Sequence, residues 1–416
     1  MNHEFDILSF AGLAGDSSWV LDEPELTEFR VVFTEESFTP EEIAKAIANF
    51  AEEPIDVEWV EETPWAIRVR VPSLPTDVIL WEEELSPEVK DQQEVKSGSM
   101  LAMQTKLHPA DPLTHFSNLM RLFGSLPFGV HAICDVPTGR WYPKHVIQEL
   151  FFQDVDAPEE VLWLTRLIEA PEDVEPEERW AWVSTHGLER CGKVELEMLS
   201  VPAVLSTEAV HCVDGLAALT LEQDLPQVGQ AFAIGHGLNL SLIEVPEALK
   251  MLGDDMPGKE ERHYRSAVLT SENHSLLCPL QTLELLRSTQ TAIAKTSRST
   301  NRRRSLAHQN WNAFLKVAKS VGRGEHAACM VQVPWANNEE ADAPREYLWF
   351  TVDSVGKQSI ETTLAHQPHV VDSLKEGHQE TFVRDDVTDW VVLTPVGPLG
   401  PSDMESIELF TEQIQS

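Results

Sequence analysis

Apolar residues follow strand and helix patterns through the first hundred positions of the chain. Residues 28–34 are rich in valine and phenylalanine and predict a strand. Residues 39–42 contain a helix-capping box with proline at the first helical position, and the apolar residues after it predict one helix face: Ile43, Ala46, Ile47 and Phe50. Residues 55–59 and 67–71 alternate apolar and charged side chains, which predicts two half-buried antiparallel strands. The order β-α-β-β indicates a small sheet with helices on one side.

The next region, up to residue 252, mixes the two patterns without strict alternation, as is typical of an α+β fold. Its predicted strands are residues 127–134, 179–185, 194–198 and 231–245, and its predicted helices are residues 111–123 and 207–220. A polar region then holds one predicted helix at 276–294. The last region begins with a helix and continues as short strands.

These patterns predict an α+β, multi-domain protein with mostly antiparallel sheets and helices packed on one face. Four regions are predicted: an acidic β-α-β-β N-terminal domain (1–96), a central α+β domain (97–252), a polar helical linker with a basic end (253–304) and a small β-rich C-terminal domain (305–416).

The net negative charge of the chain argues against some classes of binding partner. Of the 416 residues, 69 are Asp or Glu and 31 are Lys or Arg, which gives a formal net charge of −38. This argues against a generally basic nucleic-acid binder and against docking on an anionic membrane. We expect a cytoplasmic protein, because the chain starts without a basic secretory signal, no apolar stretch predicts a transmembrane helix, and the five cysteines are widely spaced.

One segment reverses the sign of the charge. Residues 285–324 contain nine Lys or Arg and no Asp or Glu, with a core at Arg302, Arg303 and Arg304 followed by Trp311. Such a segment could contact nucleic acid, with Trp311 stacking on a base. The interpretation that we favour is that the basic residues tether the chain's own acidic domains or an acidic partner, while Trp311 belongs to a core stripe with Phe314.

Few side chains in the sequence form a pattern that indicates catalysis. His236 stands between two glycines, and His211 adjoins Cys212 with Asp214 nearby, so these are weak catalytic candidates. Adjacent residues on a helix point to different faces, which favours a structural role for Cys212. We predict no metal site and no cofactor, because no spacing typical of metal ligands or of a phosphate-binding loop occurs.

Residues 184–197 form a compact pattern, Thr-x-Gly-Leu-x-x-x-Gly-x-x-Glu-Leu-Glu, which predicts a strand, a turn, a loop and a strand. Leu188 and Leu196 are expected to face the core, and Glu195 and Glu197 are expected to face solvent. The motif resembles one in uncharacterised bacterial α+β domains, some of them related to toxin-immunity proteins, over about residues 100–250.

Residues 305–395 carry a second set of motifs: Glu346 and Trp349 on a strand, Pro368 in a loop, Lys375 and Gly377 at a turn, and Asp389 and Trp390 after a strand. With these motifs the region resembles the YegJ-like bacterial domain of unknown function. The resemblance implies a fold and a bacterial cytosolic setting. From the residues themselves, Gly377 is expected to adopt positive φ, Asp389 to accept backbone N–H groups, and Trp390 to pack over the sheet.

Three functional hypotheses remain open. The first is a non-enzymatic, immunity- or stress-type module that binds a protein partner, which the acidic surface predicts to be basic. The second is a hydrolase-like enzyme with a site between the N-terminal and central domains. The third is nucleic-acid contact through residues 298–323.

Overall fold

The computed structural model describes residues 4–5, 15–34, 37–62, 64–169, 179–235, 237–254, 256–259, 265–288, 293–321, 327–337, 345–368 and 371–415. These residues contain ten α-helices: α1 (Pro40–Ala51), α2 (Pro87–Gln92), α3 (Pro112–Gly124), α4 (Lys144–Phe151), α5 (Ser206–Glu222), α6 (Val245–Met251), α7 (Leu280–Arg287), α8 (Ser297–Gln309), α9 (Trp311–Val321) and α10 (Met404–Gln415).

The same residues contain twenty strands: β1 (Glu4–Phe5), β2 (Leu26–Phe33), β3 (Asp56–Glu62), β4 (Trp65–Arg70), β5 (Val78–Glu83), β6 (Ser99–Lys106), β7 (Val130–Asp135), β8 (Arg140–Pro143), β9 (Leu164–Glu169), β10 (Trp180–His186), β11 (Glu195–Pro202), β12 (Phe232–Ala233), β13 (Asn239–Glu244), β14 (Ser266–Thr270), β15 (Ala328–Trp335), β16 (Glu346–Val355), β17 (Ser359–Leu364), β18 (Gln379–Val383), β19 (Asp389–Thr394) and β20 (Gly397–Leu399). The strands form three mostly antiparallel sheets, so the predicted α+β, multi-domain class is confirmed.

The chain divides into two compact units. The larger unit contains Ala14–Gly229 and Leu242–Thr270, and the smaller unit contains Met1–Leu13, Gln230–Ser241 and Ser271–Ser416. The chain passes from one unit to the other within β13. These two units are defined by contacts within the folded chain. The division into four domains stays a prediction.

The first sheet of the larger unit has the strand order β3-β4-β5-β6-β2-β7-β8. The predicted capping box is present at the start of α1, where the Thr39 hydroxyl accepts from the Glu42 N–H and the Glu42 carboxylate accepts from the Thr39 N–H. The predicted antiparallel pairing of β3 and β4 is also confirmed, with Glu58 opposite Arg68. β3 is nevertheless not half-buried as predicted: residues 56–61 are exposed, because β3 lies at the edge of the sheet and helix α1 packs on β4.

The second sheet contributes the strands β9, β10, β11 and β14 to the larger unit, and β11 and β14 run parallel. Helix α5 packs on β9, β10 and β11, and its position confirms the helix predicted at residues 207–220. By length and composition alone, Ala203–Glu222 could cross a membrane, with a mean hydropathy of 1.3. Half of that apolar window is buried against the fold, and a buried core helix meets the same criteria, so this is weak evidence for a membrane span.

The sheet of the smaller unit has the order β18-β17-β16-β15-β19-β20, and β1 pairs with β16. Helices α8 and α9 pack on it over a core that includes Phe314, Phe350 and Trp390. The helix predicted at residues 276–294 is shorter, because α7 begins after Pro279 and Ser288 caps its end; residues 289–292 lie outside the described part of the chain. The basic segment predicted as the end of a linker forms the regular helix α8.

A buried ion pair joins distant parts of the larger unit. Arg190 donates to both carboxylate oxygens of Asp135, at 2.5 and 2.9 Å, and both side chains are almost completely buried. The guanidinium also donates to the carbonyl oxygens of Val161 and Leu162 and lies 5.0 Å from the ring centre of Phe116. Burial by itself lowers the pKa of Arg190, but the charge and hydrogen bonds of Asp135 raise it above its ordinary value.

We predict that Asp135→Asn lowers the free energy of unfolding by about 3–5 kcal/mol, because it leaves the Arg190 charge buried without a counter-charge. Urea unfolding of the full chain measures the loss. Glu58→Gln is the matched control, since it breaks the exposed Arg68–Glu58 pair, whose N–O distance is 3.0 Å, and should cost about 1 kcal/mol or less. Equal costs for the two variants would contradict a stabilising role of the buried pair.

Candidate functional site

The weak catalytic candidates do not come together in the structure. His211 is exposed on α5, whereas Cys212 is fully buried against the sheet, so the helix points the two side chains in different directions. The Asp214 carboxylate accepts from Trp163 Nε1 at 2.9 Å and from the Thr165 hydroxyl, which ties it to the structure preceding β10. His236 lies outside the described residues.

The basic residues of α8 contact their own unit. Arg303 forms an ion pair with Asp389 at 3.4 Å, and Arg304 donates to the Asp385 carbonyl oxygen at 2.8 Å. Arg302 is half-buried on the same helix. Trp311 is 7% exposed and packs against Phe314, with ring centres 5.2 Å apart. Arg303 and Arg304 therefore contact groups of the smaller unit, and the choice between tethering and nucleic-acid contact stays a prediction.

The motif residues of the C-terminal region lie around the sheet of the smaller unit. The buried Glu346 carboxylate accepts the Val371 N–H at 3.1 Å, and Asp389 accepts the N–H of Trp390 at 2.8 Å. Trp390 is completely buried and stacks on Phe314 at 5.0 Å. The remaining residues of this set have simple placements: Trp349 and Pro368 are buried, Lys375 is exposed, and Gly377 has a φ of +85°.

All five cysteines are buried, and none of them forms a disulfide. Burial raises the pKa of Cys134 to about 11 and the pKa values of Cys191, Cys278 and Cys329 to about 12, so these thiols stay protonated at neutral pH. Within the described ranges, no group of three or more His, Cys, Asp or Glu side chains could hold a metal ion.

The most unusual polar feature is a pair of buried acids on β11, where the sequence analysis expected exposed ones. Glu195 is 2% exposed and Glu197 is completely buried. The expectation that they face solvent is wrong because β11 is an inner strand between β10 and β14, and its side chains are buried on both faces of the sheet. We call these two carboxylates and the groups that donate to them the β11 cluster.

Local backbone geometry provides the donors to Glu195. Its carboxylate accepts from the Thr185 hydroxyl at 2.6 Å, from the Gly187 N–H at 2.7 Å and from the Glu189 N–H at 3.3 Å. Gly187 has a φ of +119°, and a Cβ there would lie 2.6 Å from the Leu162 carbonyl oxygen. Only glycine fits this turn without strain, and the turn brings its N–H to the acid.

Desolvation dominates the electrostatics of Glu195. It raises the pKa of the carboxyl group to about 7, against the opposing effect of the hydrogen bonds from Thr185, Gly187 and Glu189. Burial also raises the pKa of the neighbouring Glu189, whose carboxylate accepts the Arg265 N–H at 3.1 Å. The β11 cluster therefore holds a carboxyl group that changes charge near neutral pH.

Glu197 extends the cluster along the strand. Its carboxylate accepts from Trp182 Nε1 at 3.0 Å and from the Ser266 hydroxyl on the neighbouring strand β14. These contacts join β10, β11 and β14 through side chains in addition to their backbone ladder. Because donors within the protein satisfy both acids, the β11 cluster is suited to fixing strand positions, and it presents no free carboxylate to a substrate.

Ser266 also lines a cleft on the surface of the larger unit. The cleft has a volume of about 280 Å³. Its apolar wall consists of Trp19, Val194, Val245 and Pro246, and its charged side chains are Glu244 and Arg265. We call it the Trp19 cleft. Sequence reasoning missed it because its residues come from four separate segments, none of which carries a motif.

One sequence signal could have located the β11 cluster. Glu195 and Glu197 alternate with Leu196 and Met198 in a segment that continues with apolar residues to position 205. Such a segment is typical of a strand that is covered on both faces, and its acids must then be buried with partners. Alternation alone, without that context, predicts the exposed position that the structure contradicts.

Comparison with known proteins gives one family match. A family model described as the C-terminal part of a protein of unknown function, DUF4026, matches residues 168–276. No curated protein and no solved structure matches the chain significantly. The matched range contains Glu195, Glu197 and most of the Trp19 cleft, with Ser18 and Trp19 outside it. The resemblances to the YegJ-like domain and to immunity-type domains stay predictions.

We predict that Glu195 makes the protein less stable as the pH rises. Its pKa is raised in the folded state, so the folded state binds the proton more tightly, and stability falls between about pH 4.5 and pH 7 by roughly 3 kcal/mol. Urea unfolding of wild type and Glu195→Gln across this pH range measures the effect, and the variant should lose this part of the decline. The exposed Glu376→Gln serves as control, and a Glu195→Gln profile parallel to the wild-type profile would contradict the assignment.

Proposed function

We propose that this protein acts by binding a basic protein partner, and that an extended segment of the partner adds to the edge strand β3. The observation that carries the proposal is the exposure of this strand. Val57 is 42% exposed and Trp59 is 48% exposed, although both stand on the face that β4 buries at Ile67 and Val69. The apolar face of the sheet is therefore buried at β4 and exposed to solvent at β3.

The hydrogen-bonding edge of β3 supports strand addition. β3 is the last strand of its sheet, so one row of its backbone N–H and C=O groups has no neighbouring strand among the described residues. Natural edge strands are usually protected by a bulge, by charge or by brevity. β3 has a bulge between Trp59 and Glu61, but it runs for seven residues, and its exposed apolar side chains are of the kind that anchor a partner.

The charge of the same strand defines the chemistry of the partner. Asp56, Glu58 and Glu61 are exposed along β3, and the chain as a whole carries a net charge of −38. Acids of this density attract lysine- and arginine-containing segments and repel acidic ones. The resemblance of residues 100–250 to immunity-type domains, which act by binding proteins, also supports this function.

The alternatives have less support from the described residues. A hydrolase-like site gains nothing from His211 and Cys212, which face different directions. Nucleic-acid contact through α8 would have to break the Arg303–Asp389 pair and the Arg304 contact with Asp385.

Selection of displayed random peptides against the full-length chain tests the proposal. We expect enrichment of peptides that alternate Lys or Arg with apolar residues, because this pattern places basic side chains beside the β3 acids and apolar ones beside Trp59. Binding should weaken at least about 10-fold in Trp59→Lys, which replaces an aromatic anchor with a like charge. It should also weaken as the ionic strength rises.

Val396→Lys is the matched control, because Val396 is an exposed valine of the smaller unit and its replacement introduces the same charge. Peptides that bind Trp59→Lys as tightly as wild type, or a selection that enriches no basic alternating pattern, would overturn the proposal.

A further inference from the structure

The Trp19 cleft has the features of a site for a small molecule, independently of β3. Its volume of about 280 Å³ is that of roughly nine water molecules, so it suits a ligand with on the order of ten non-hydrogen atoms. The residues behind it are buried and hydrogen-bonded. Trp19 is 4% exposed, its Nε1 donates to the Pro226 carbonyl oxygen at 2.8 Å, and its carbonyl oxygen accepts the Val194 N–H at 3.2 Å.

Arg265 brings a positive charge to one side of this cleft. One of its terminal guanidinium nitrogens donates to the Ser18 carbonyl oxygen at 3.0 Å, and its backbone N–H donates to Glu189. These two contacts fix the position of the residue while leaving most of the guanidinium donors available. Arg265 is exposed, and its charge acts on the nearby Glu189 carboxylate without a guanidinium hydrogen bond to that group, so its remaining donors can bind an anionic group of a ligand.

Glu244 brings a negative charge to the same cleft. It immediately precedes α6, but its side chain does not cap the helix. Its carboxylate has no hydrogen bond or ion pair with another described residue, and it does not pair with Arg265. Two opposite charges therefore line one small cleft together with apolar side chains, and the two charged groups form no ion pair with each other.

We propose that the Trp19 cleft binds a small zwitterion with an apolar body, namely a free α-amino acid with an aliphatic or aromatic side chain. The ligand carboxylate pairs with Arg265, and its ammonium group pairs with Glu244. Its side chain packs on Val245 and Pro246, the more exposed members of the apolar wall. A ligand with only one charge leaves one of the two protein charges without its partner, so recognition depends on both groups.

Ligand-observed NMR and calorimetry with the full-length chain test this site, with L-leucine, L-methionine and L-phenylalanine as probes up to about 10 mM. We expect saturable binding of at least one probe. For leucine, the comparison compounds are 3-methylbutylamine, which lacks the carboxylate, and 4-methylpentanoate, which lacks the ammonium group. Each should bind about 10- to 100-fold more weakly than leucine, because each loses one charge-assisted contact.

Two variants test which protein residue binds each charged group of the ligand. In Arg265→Gln, leucine should bind no better than 3-methylbutylamine, and in Glu244→Gln it should bind no better than 4-methylpentanoate. Arg166→Gln and Glu247→Gln are matched controls, because both residues are exposed in the same unit and neither lines the cleft. Unchanged thermal midpoints show that the variants fold.

Two outcomes would overturn the proposal. One is the absence of binding of all three amino acids to the wild-type chain. The other is binding that Arg265→Gln and Glu244→Gln leave at the wild-type level. Neither outcome depends on β3, so this site and the proposed protein-binding surface can fail separately.

Discussion

The larger unit contains a buried ion pair, Arg190–Asp135, whose charges must be removed from water when the chain folds. Burying Arg190 and Asp135 is costly, and the cost is offset only if every donor of the guanidinium finds an acceptor. The fold provides acceptors for all three guanidinium nitrogens, with the Asp135 carboxylate at the end of β7 and the carbonyl oxygens of Val161 and Leu162. Phe116 of α3 covers the guanidinium with its ring. Four segments of the unit therefore meet at one point, and displacement of Asp135 would leave the Arg190 charge buried without a counter-charge.

Arg190 also lies close in sequence to the next strand, β11. Arg190 lies in the short helix Glu189–Cys191, which leads directly into β11. The same turn directs the N–H groups of Gly187 and Glu189 at Glu195. A second buried acid, Glu195, thus accepts hydrogen bonds from the loop that also carries Arg190. Because unsatisfied polar groups are so costly in the interior, such networks specify one strand register over its alternatives.

The surface of the protein uses charge differently. Solvent screens the many exposed acids, so each contributes little to stability, and their combined field selects what the protein can approach. On β3 the acids accompany exposed apolar side chains at an open sheet edge. In the Trp19 cleft one acid and one arginine face a small volume without pairing. On α8 the basic residues are instead occupied by contacts within the smaller unit.

The sequence by itself determined the local structure. The α1 capping box, the pairing of Glu58 with Arg68 across β3 and β4, the course of α5 and the turn at Gly377 all follow from neighbouring residues, and the structure contains each of them. The tertiary structure decided which faces are covered. Glu195 and Glu197 are buried because β11 is an inner strand, and Val57 and Trp59 are exposed because β3 is an edge strand. The Arg190–Asp135 pair spans 55 positions and the Arg303–Asp389 pair spans 86. Alternation and helical spacing describe a residue relative to its own element, whereas burial depends on what distant parts of the chain place against that element.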